Sequence, residues 1–410
     1  MASEKESSQL CENFVFPKVF QTFRMAIQPS KLIIAFLAVV VLCMAGWIMD
    51  YVAVATSGAQ SEVGIFTPLW DFLATRFHGA VYSLLLLDIP GVTTNIAESF
   101  EAIAETVRSH YVYSIVYIVI ILVVAAVAGG AICRIAALQF ARGEKPGLGE
   151  ALAFSTKRFM SLIAAPLTPL AIIVFIGLFI FLLGLIGNIP WVGELLVGIC
   201  MPLTLLAGGL IAVVLIGGVA GFNLMFPAVG YDDADCFDAI SRSFSYVYAK
   251  PWRMGFYTVL AVIYGAICYV FVRFFAFLLL WASHRTLQMG ILGGNSKLKV
   301  IWPQPTFADF FGGPAAAASK WTESVAAFLV YIFVLAMVGL LISFVVSFYF
   351  SANTVIYALM RNKVDNTAIE DVYTYPEERQ TELSAPESKP EEAQAQPESE
   401  EKSDSSSPAE

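Results

Sequence analysis

Residues 207–222, AGGLIAVVLIGGVAGF, contain no charged or polar side chain. They belong to an apolar run from Val192 to Phe226, which exceeds the ~20 residues that an α-helix needs to cross a bilayer. Soluble domains carry about 25% charged residues. This chain of 410 residues has 14%, with 58% hydrophobic residues and a mean hydropathy of +0.72. The sequence therefore predicts an integral membrane protein.

Five further runs resemble this one, so the expected fold class is all-α, a polytopic membrane helical bundle of about six transmembrane helices. The predicted spans are Lys31 to about Ala55, Tyr111 to about Phe140, Phe159 to about Ile186, Val192 to Phe226, Met254 to Trp281, and Ser324 to Met360. They divide the chain into a cytoplasmic leader (1–30), a membrane domain (31–363) with outer loops 56–110 and 283–320, and a cytoplasmic tail (364–410).

Basic residues predict the orientation, because loops that stay in the cytoplasm carry an excess of Lys and Arg. They cluster in the leader and in the segments after spans two, four and six: Lys18, Arg24, Lys31, Arg142, Lys145, Lys157, Arg158, Arg242, Lys250, Arg253, Arg361 and Lys363. Loop 56–110 is acidic, whereas loop 283–320 is a basic exception. The pattern predicts a multi-pass protein of a bacterial inner (cytoplasmic) membrane with both termini in the cytoplasm.

The two outer loops contain further apolar pieces, FTPLWDFLATRFHGAVYSLLLLDIPG at 66–91 and RFFAFLLLWASH at 273–284. Each is too short or too interrupted for a clean span, so we expect interfacial or re-entrant helices there. The sequence leaves open whether residues 64–88 or residues 274–282 re-enter the membrane. A seventh crossing would place the tail on the outer side.

The C-terminal tail is acidic and poor in apolar residues. Residues 377–410 have eleven Asp and Glu against three Lys and Arg, which is −8 of the net −9 of the chain. Such a composition cannot bury enough surface to offset chain entropy and predicts disorder. An alternative is that the tail docks a basic protein partner. Nucleic acid is not an expected partner, whereas the lipid bilayer is, and homo-oligomers are compatible with the sequence.

A short polar pattern occurs twice before a pair of spans. EALAFSTKRF (150–159) and DAISRSFSYVYAKPW (238–252) share acid-Ala-aliphatic-x-x-Ser at an offset of 88 residues. Helical spacing predicts amphipathic interface helices with apolar stripes. The stripe residues are Leu148, Leu152, Ser155, Phe159 and Leu162 in the first copy, and Phe237, Ile240, Phe244, Val247 and Tyr248 in the second. Ser155 and Ser243 are expected to be small helix-packing contacts, and Asp235 is expected to cap the second helix.

These acid-Ala-[Ile/Leu]-x-x-Ser helices resemble bacterial six-span integral membrane families of unknown function. They also resemble the membrane domain found in some glycerophosphodiester phosphodiesterases. The likeness covers roughly residues 110–360. It implies a helical bundle and supplies no catalytic residues, because the soluble catalytic domain of those enzymes has no counterpart here.

Small residues and prolines mark spans three and four. Gly217 and Gly221 lie four residues apart and Gly209 two turns earlier, a pattern typical of close helix packing in lipid. Pro166, Pro169 and Pro202 suggest the alternative of a pore or hinge, since prolines kink helices.

Few residues offer chemistry. The six cysteines form no CxxC pair, so neither a cofactor nor a metal site is expected. The three histidines (His78, His110, His284) are predicted outside, where Asp71, Glu98 or Glu105 would be needed to complete a metallohydrolase site. Arg134 and Arg273 are expected near opposite membrane interfaces, with side chains extending to water.

With no expected charge at mid-membrane, we interpret the chain as a non-catalytic membrane protein that organises or binds lipids or partner proteins. A transporter or channel for an uncharged or amphipathic solute is the alternative. A membrane-embedded hydrolase is the third hypothesis.

Overall fold

The computed structural model describes residues 16–56, 64–290, 296–312 and 320–374, and every regular element in these ranges is helical. After a 3-10 turn at Phe16–Gln21, the helices in chain order are α1 (Thr22–Ala26), α2 (Pro29–Thr56), α3 (Phe66–Leu85), α4 (Ile89–Ser109), α5 (Tyr111–Arg142), α6 (Leu148–Lys157), α7 (Phe159–Gly187), α8 (Val192–Asp232), α9 (Cys236–Ala249), α10 (Pro251–Gly290), α11 (Ser296–Ile301) and α12 (Trp321–Val364).

Six of these helices, α2, α5, α7, α8, α10 and α12, are long and apolar enough to cross a membrane. They confirm the all-α fold class, and the chain is a multi-pass integral membrane protein. Helices α8, α10 and α12 have 41, 40 and 44 residues. Each is therefore about 60 Å long at 1.5 Å per residue, about twice the hydrocarbon thickness. Their ends extend past the hydrocarbon and carry the polar clusters described below.

The segment 274–282 differs from the prediction. It is not a separate interfacial or re-entrant helix but part of α10, which continues without a break from Pro251 to Gly290. Residues 266–289 contain neither proline nor glycine, so nothing in the backbone stops the helix there.

The segment 64–88 contains α3 (Phe66–Leu85), which packs against α4 as a helical hairpin. The Asp50 carboxylate of α2 accepts hydrogen bonds from the backbone N–H groups of Ile65 (2.8 Å), Phe66 (2.6 Å) and Thr67 (2.9 Å), and so caps the start of α3. Asp88 caps α4 in the same way by accepting from Gly91 N. The two carboxylates fix one end of the hairpin and its turn.

The compact unit runs to Val372, so residues 364–372 belong to it, and both Ile369 and Val372 are buried. A second unit begins at Tyr373. The acidic segment 375–410, for which disorder and a docking role were predicted, lies outside the described residues. So do residues 1–15 of the predicted leader. The rest of the leader includes the buried side chains Val19 and Met25.

Helix α5 is the centre of the bundle. It contacts α2, α6, α7, α8 and α12, and its residues 128–138 are all buried. Most of these residues are small, so neighbouring helices approach closely. A methyl group at Gly129 would lie 2.5 Å from the Phe350 ring, and one at Gly130 would lie 2.5 Å from Ser155 Oγ. The packing around α5 depends on the absence of side chains at these positions.

We expect Gly130→Ala to destabilise the bundle by about 1–3 kcal/mol, because the added methyl overpacks a filled interface. The matched control is Gly177→Ala in α7, where an added methyl meets nothing within 4 Å. Thermal unfolding of the detergent-purified variants would measure both. Equal unfolding temperatures for the two variants would contradict this account of α5.

Candidate functional site

The two serines of the repeated pattern are fully buried, but they make different contacts. Ser155 Oγ on α6 lies within hydrogen-bond distance of two carbonyl oxygens of α5, Ala126 O (2.8 Å) and Val127 O (2.7 Å). Ser243 Oγ donates to Ala239 O of its own helix (2.7 Å). A methyl group at Gly221 would be 3.3 Å from Ser243 Cβ, so this serine permits close contact of α9 with α8.

The predicted glycines separate into two groups. A methyl at Gly217 would be 2.9 Å from the Phe244 ring, so Gly217, like Gly221, lies against α9. Gly209 was expected to pack in the same way, but a methyl there would meet nothing within 4 Å in the described part of the chain. The packing role of Gly209 therefore stays a prediction.

The predicted apolar stripes coincide with the buried faces only in part, since Ile240, Val247, Ser155 and Leu162 are buried. In α9 the buried residues are Ala239, Ile240, Ser243, Tyr246 and Val247, whereas Phe237 is 77% exposed and Tyr248 is 45% exposed. In α6 the buried residues are Ala151, Phe154 and Ser155, whereas the predicted stripe residues Leu148 and Leu152 are only half-buried. The small residues turn each helix towards the bundle, which hydrophobicity counting does not detect.

Beside α9, acidic and basic side chains form a paired cluster. Asp232 bonds to Arg242 Nη1 (3.0 Å) and lies 3.2 Å from Arg361 Nε. Asp233 pairs with Arg158, which also donates to Asp235 Oδ1 (3.1 Å). Asp235 is at the predicted cap position but makes no side-chain cap bond. The cluster ties the ends of α7, α8, α9 and α12 together, and the sequence analysis did not identify it.

A cavity of about 590 Å³ lies at the opposite end of the bundle, under the α3–α4 hairpin. Its walls come from α3, α4, α10, α12 and the segment 308–311, and they are mostly apolar. Arg273, in its wall, is about 33 Å along α10 from Pro251, where α9 meets α10. The cavity is thus remote from the ion-pair cluster.

Arg273 is 9% exposed, and it is held by protein atoms instead of extending to water as predicted. Its Nη1 donates to Tyr269 Oη (3.3 Å), and its Nη2 donates to the carbonyls of Phe307 (3.0 Å) and Ala308 (3.1 Å). The guanidinium also lies over the rings of Phe307 and Phe310, 5.1 and 5.6 Å from their centres. All of these partners are neutral.

Arg134 was also expected to reach water and is instead 3% exposed. Its guanidinium lies 4.8 Å from the centre of the Phe154 ring of α6, and Nη1 is 3.4 Å from Gly230 O of α8. Neither arginine reaches water as predicted, because segments distant in sequence enclose it: 307–310 around Arg273, and α6 and α8 around Arg134.

His78 completes the polar part of the cavity wall. Its Nε2 is 2.7 Å from Tyr269 Oη. Because Arg273 can only donate, the Tyr269 oxygen accepts from it, and the Tyr269 hydroxyl proton is free for His78. Burial and the Arg273 charge lower the pKa of His78 to about 4, so the imidazole is neutral at neutral pH. The chain Arg273–Tyr269–His78 therefore joins α10 to the hairpin.

The residues considered for a metallohydrolase site are dispersed. Glu98 pairs with Arg76 at 2.5 Å, and His284 Nε2 lies 3.2 Å from the carbonyl of Trp302. Within the described ranges there is no group of three or more His, Cys, Asp or Glu side chains suited to a metal ion.

A second cavity of about 370 Å³ adjoins the first and shares with it Phe77, Ala80, Ile96, Tyr269 and Val345. It continues between α10 and α12 to Asn223 of α8 and Tyr349 of α12. The three prolines predicted to open a pore do not line either of these cavities. Pro166 and Pro169 lie within an unbroken α7, and Pro202 lies within an unbroken α8. Pro169 packs near Gly218.

The bundle of six long apolar helices defines the class, a polytopic integral membrane protein. Comparisons of the chain with known protein families, with curated proteins and with solved structures gave no match.

Replacing Ser155 with Leu should lower the unfolding temperature, because the larger side chain collides with α5 near Gly130 and the hydroxyl contact is lost. Ser243→Leu should act similarly against Gly221. Thr156→Leu is the matched control, since Thr156 is the exposed neighbour of Ser155. The unfolding temperatures would be measured in detergent. If both Ser155→Leu and Ser243→Leu unfold at the wild-type temperature, the packing role of the two serines is wrong.

Acidification should loosen the α3–α4 hairpin. The pKa of His78 is about 4 in the folded protein against 6.5 when unfolded, so between these values the unfolded state binds more protons. Stability from this site is complete above about pH 6.5 and falls as the pH drops towards 4. The unfolding temperature between pH 7 and 5 should depend less on pH in His78→Gln than in the wild type. His110→Gln, which changes an exposed histidine, should keep the wild-type slope; identical slopes in all three proteins would contradict the assignment.

Proposed function

We propose that this protein is a non-catalytic membrane protein that binds a lipid or another amphipathic molecule in the cavity under the α3–α4 hairpin. The observation that carries the proposal is an apolar cavity of about 590 Å³ in which the polar groups of Arg273, Tyr269 and His78 converge. Ligand sites in proteins typically have about 300–1,000 Å³, apolar walls and a few convergent polar groups.

The chemistry of the walls favours an amphipathic ligand. Phe77, Ile96, Phe100 and Leu341 present hydrocarbon to the cavity, which suits acyl chains. The polar groups at the cavity are arranged to hold a ligand rather than to attack one. Tyr269 is fixed between an arginine and a histidine, and the nearby Glu98 is engaged by Arg76.

Residence in a bacterial inner membrane with cytoplasmic termini is part of the proposal, and the distribution of Lys and Arg supports it. In that orientation the cavity lies on the outer side. The resemblance to six-span membrane families is compatible with this function and adds no activity to it.

Transport of the same ligand is the second candidate. The adjoining cavity favours it, because it extends the apolar path between α10 and α12 as far as Asn223. A binding protein needs only the first cavity, whereas a transporter needs its ligand to pass from the first cavity into the second.

Filling the cavity tests the proposal. Ala80 lines both cavities, so Ala80→Phe should block them, whereas Ala97→Phe places the same side chain at an exposed position of α4 outside both linings. Native mass spectrometry and lipid analysis of the purified proteins should show a bound amphipathic molecule in the wild type and Ala97→Phe. We expect at least about a tenfold lower occupancy in Ala80→Phe.

The same lipid complement in Ala80→Phe and Ala97→Phe would overturn the proposed site. Movement of the identified ligand across proteoliposomes, present in Ala97→Phe and absent from Ala80→Phe, would establish transport instead of binding alone.

A further inference from the structure

Arg273 carries a buried positive charge that no carboxylate balances. Its side chain is more than nine-tenths buried, and the contacts of its guanidinium within the described ranges are all with neutral groups. Backbone carbonyls, a tyrosine hydroxyl and aromatic faces are its partners. Such partners offset only part of the loss of water around a full charge.

The guanidinium also has an unused donor. Its Nε atom is buried and has no hydrogen-bond acceptor, whereas its two Nη atoms together contact three oxygens. Arginine offers five N–H groups and prefers anionic oxygens as acceptors. Nε itself is enclosed by protein atoms, but the side chain lines the cavity of about 590 Å³, so its positive charge acts on a ligand inside that cavity.

The other charged groups at this cavity do not fill that role. Glu98 is paired with Arg76. Asp309 is exposed, and its Oδ1 accepts from Phe311 N at 2.9 Å. As a negative group in the cavity wall, Asp309 opposes the entry of an anion. The histidine that faces Tyr269 is neutral at neutral pH, because burial and the charge of Arg273 lower the pKa of His78.

We propose that the ligand of this cavity is an amphipathic anion, with a carboxylate or phosphate oxygen bound to Arg273 and an apolar chain along Phe77, Leu341 and Val345. The last residue belongs to both cavities, so the chain would extend into the second one. This inference rests on the proposed function and specifies its ligand class. Arg273 is then a ligand-binding residue as well as the anchor of segment 307–308.

Binding of matched probes tests the charge requirement. The full-length protein in nanodiscs of phosphatidylcholine would be titrated with oleate, with oleyl alcohol, which has the same chain and no charge, and with acetate and inorganic phosphate. Oleate should bind at least about tenfold more tightly than oleyl alcohol, and the two chainless anions should not bind measurably. A second titration with dodecyl phosphate and with phosphatidylglycerol in the nanodisc would separate a phosphate headgroup from a carboxylate.

Two substitutions test whether the preference for the charged ligand depends on Arg273 and Asp309. Arg273→Gln should abolish the preference for oleate over oleyl alcohol, with the alcohol still bound. Asp309→Asn should strengthen oleate binding and leave the alcohol unchanged, because only a charged ligand experiences the removed carboxylate. Lys320→Gln, which changes a cation outside the cavity lining, is the matched charge control and should keep the preference.

A wild-type measurement covers the case in which Arg273→Gln does not fold. NMR titration of histidine-labelled protein should show that oleate raises the pKa of His78, since a bound anion offsets the Arg273 charge, and that oleyl alcohol does not. Equal binding of oleate and alcohol, or an unchanged His78 titration with oleate bound, would overturn the anionic ligand and leave the proposed function standing. If neither amphipath binds and Ala80→Phe behaves as the wild type, the proposed function fails as well.

Discussion

The close approach of helices to the small-residue segment of α5 is the constraint on which the rest of the structure depends. Residues 128–138 are buried on all sides, and Gly129 and Gly130 leave room for Phe350 and Ser155. Lipid offers no hydrophobic driving force between helices, so contact area and matching shape must hold them together. With α5 at the centre, α2, α6, α8 and α12 take fixed positions around it.

The buried charges at the two ends of the bundle have different partners. At the α9 end, Asp232 and Asp233 are paired with Arg158, Arg242 and Arg361, so the charges lock four helix ends. At the hairpin end, Arg273 has neutral partners and a cavity beside it. Charges that are all paired with each other suit a contact that holds helices together. A buried cation without a paired carboxylate beside a cavity suits a binding site for an anion.

The sequence predicted the six spans to within a few residues at many of the ends, but it misjudged the faces of the helices. Phe237 and Tyr248 were placed on the buried stripe of α9 and are exposed, since Ser243 and Ala239 turn towards the bundle instead. Segment 274–282 was also considered as an interfacial or re-entrant helix because its apolar run is short, although the backbone of α10 is unbroken. Arg273 itself was expected to reach water. None of these outcomes is encoded in residue spacing alone.

The sequence by itself determined that this is a membrane protein with six helical spans, because the hydrophobicity of ~20 successive residues is a local property. It also indicated where small residues permit close packing, at Gly217, Gly221 and Ser155. Only the tertiary structure decided which distant side chains meet. His78 lies on α3, whereas Tyr269 and Arg273 lie on α10, far away in the sequence. The three side chains meet because the α3–α4 hairpin packs against α10. The rotation of each helix about its axis is set by packing against its neighbours, and this rotation determines whether an arginine faces water, lipid or a cavity.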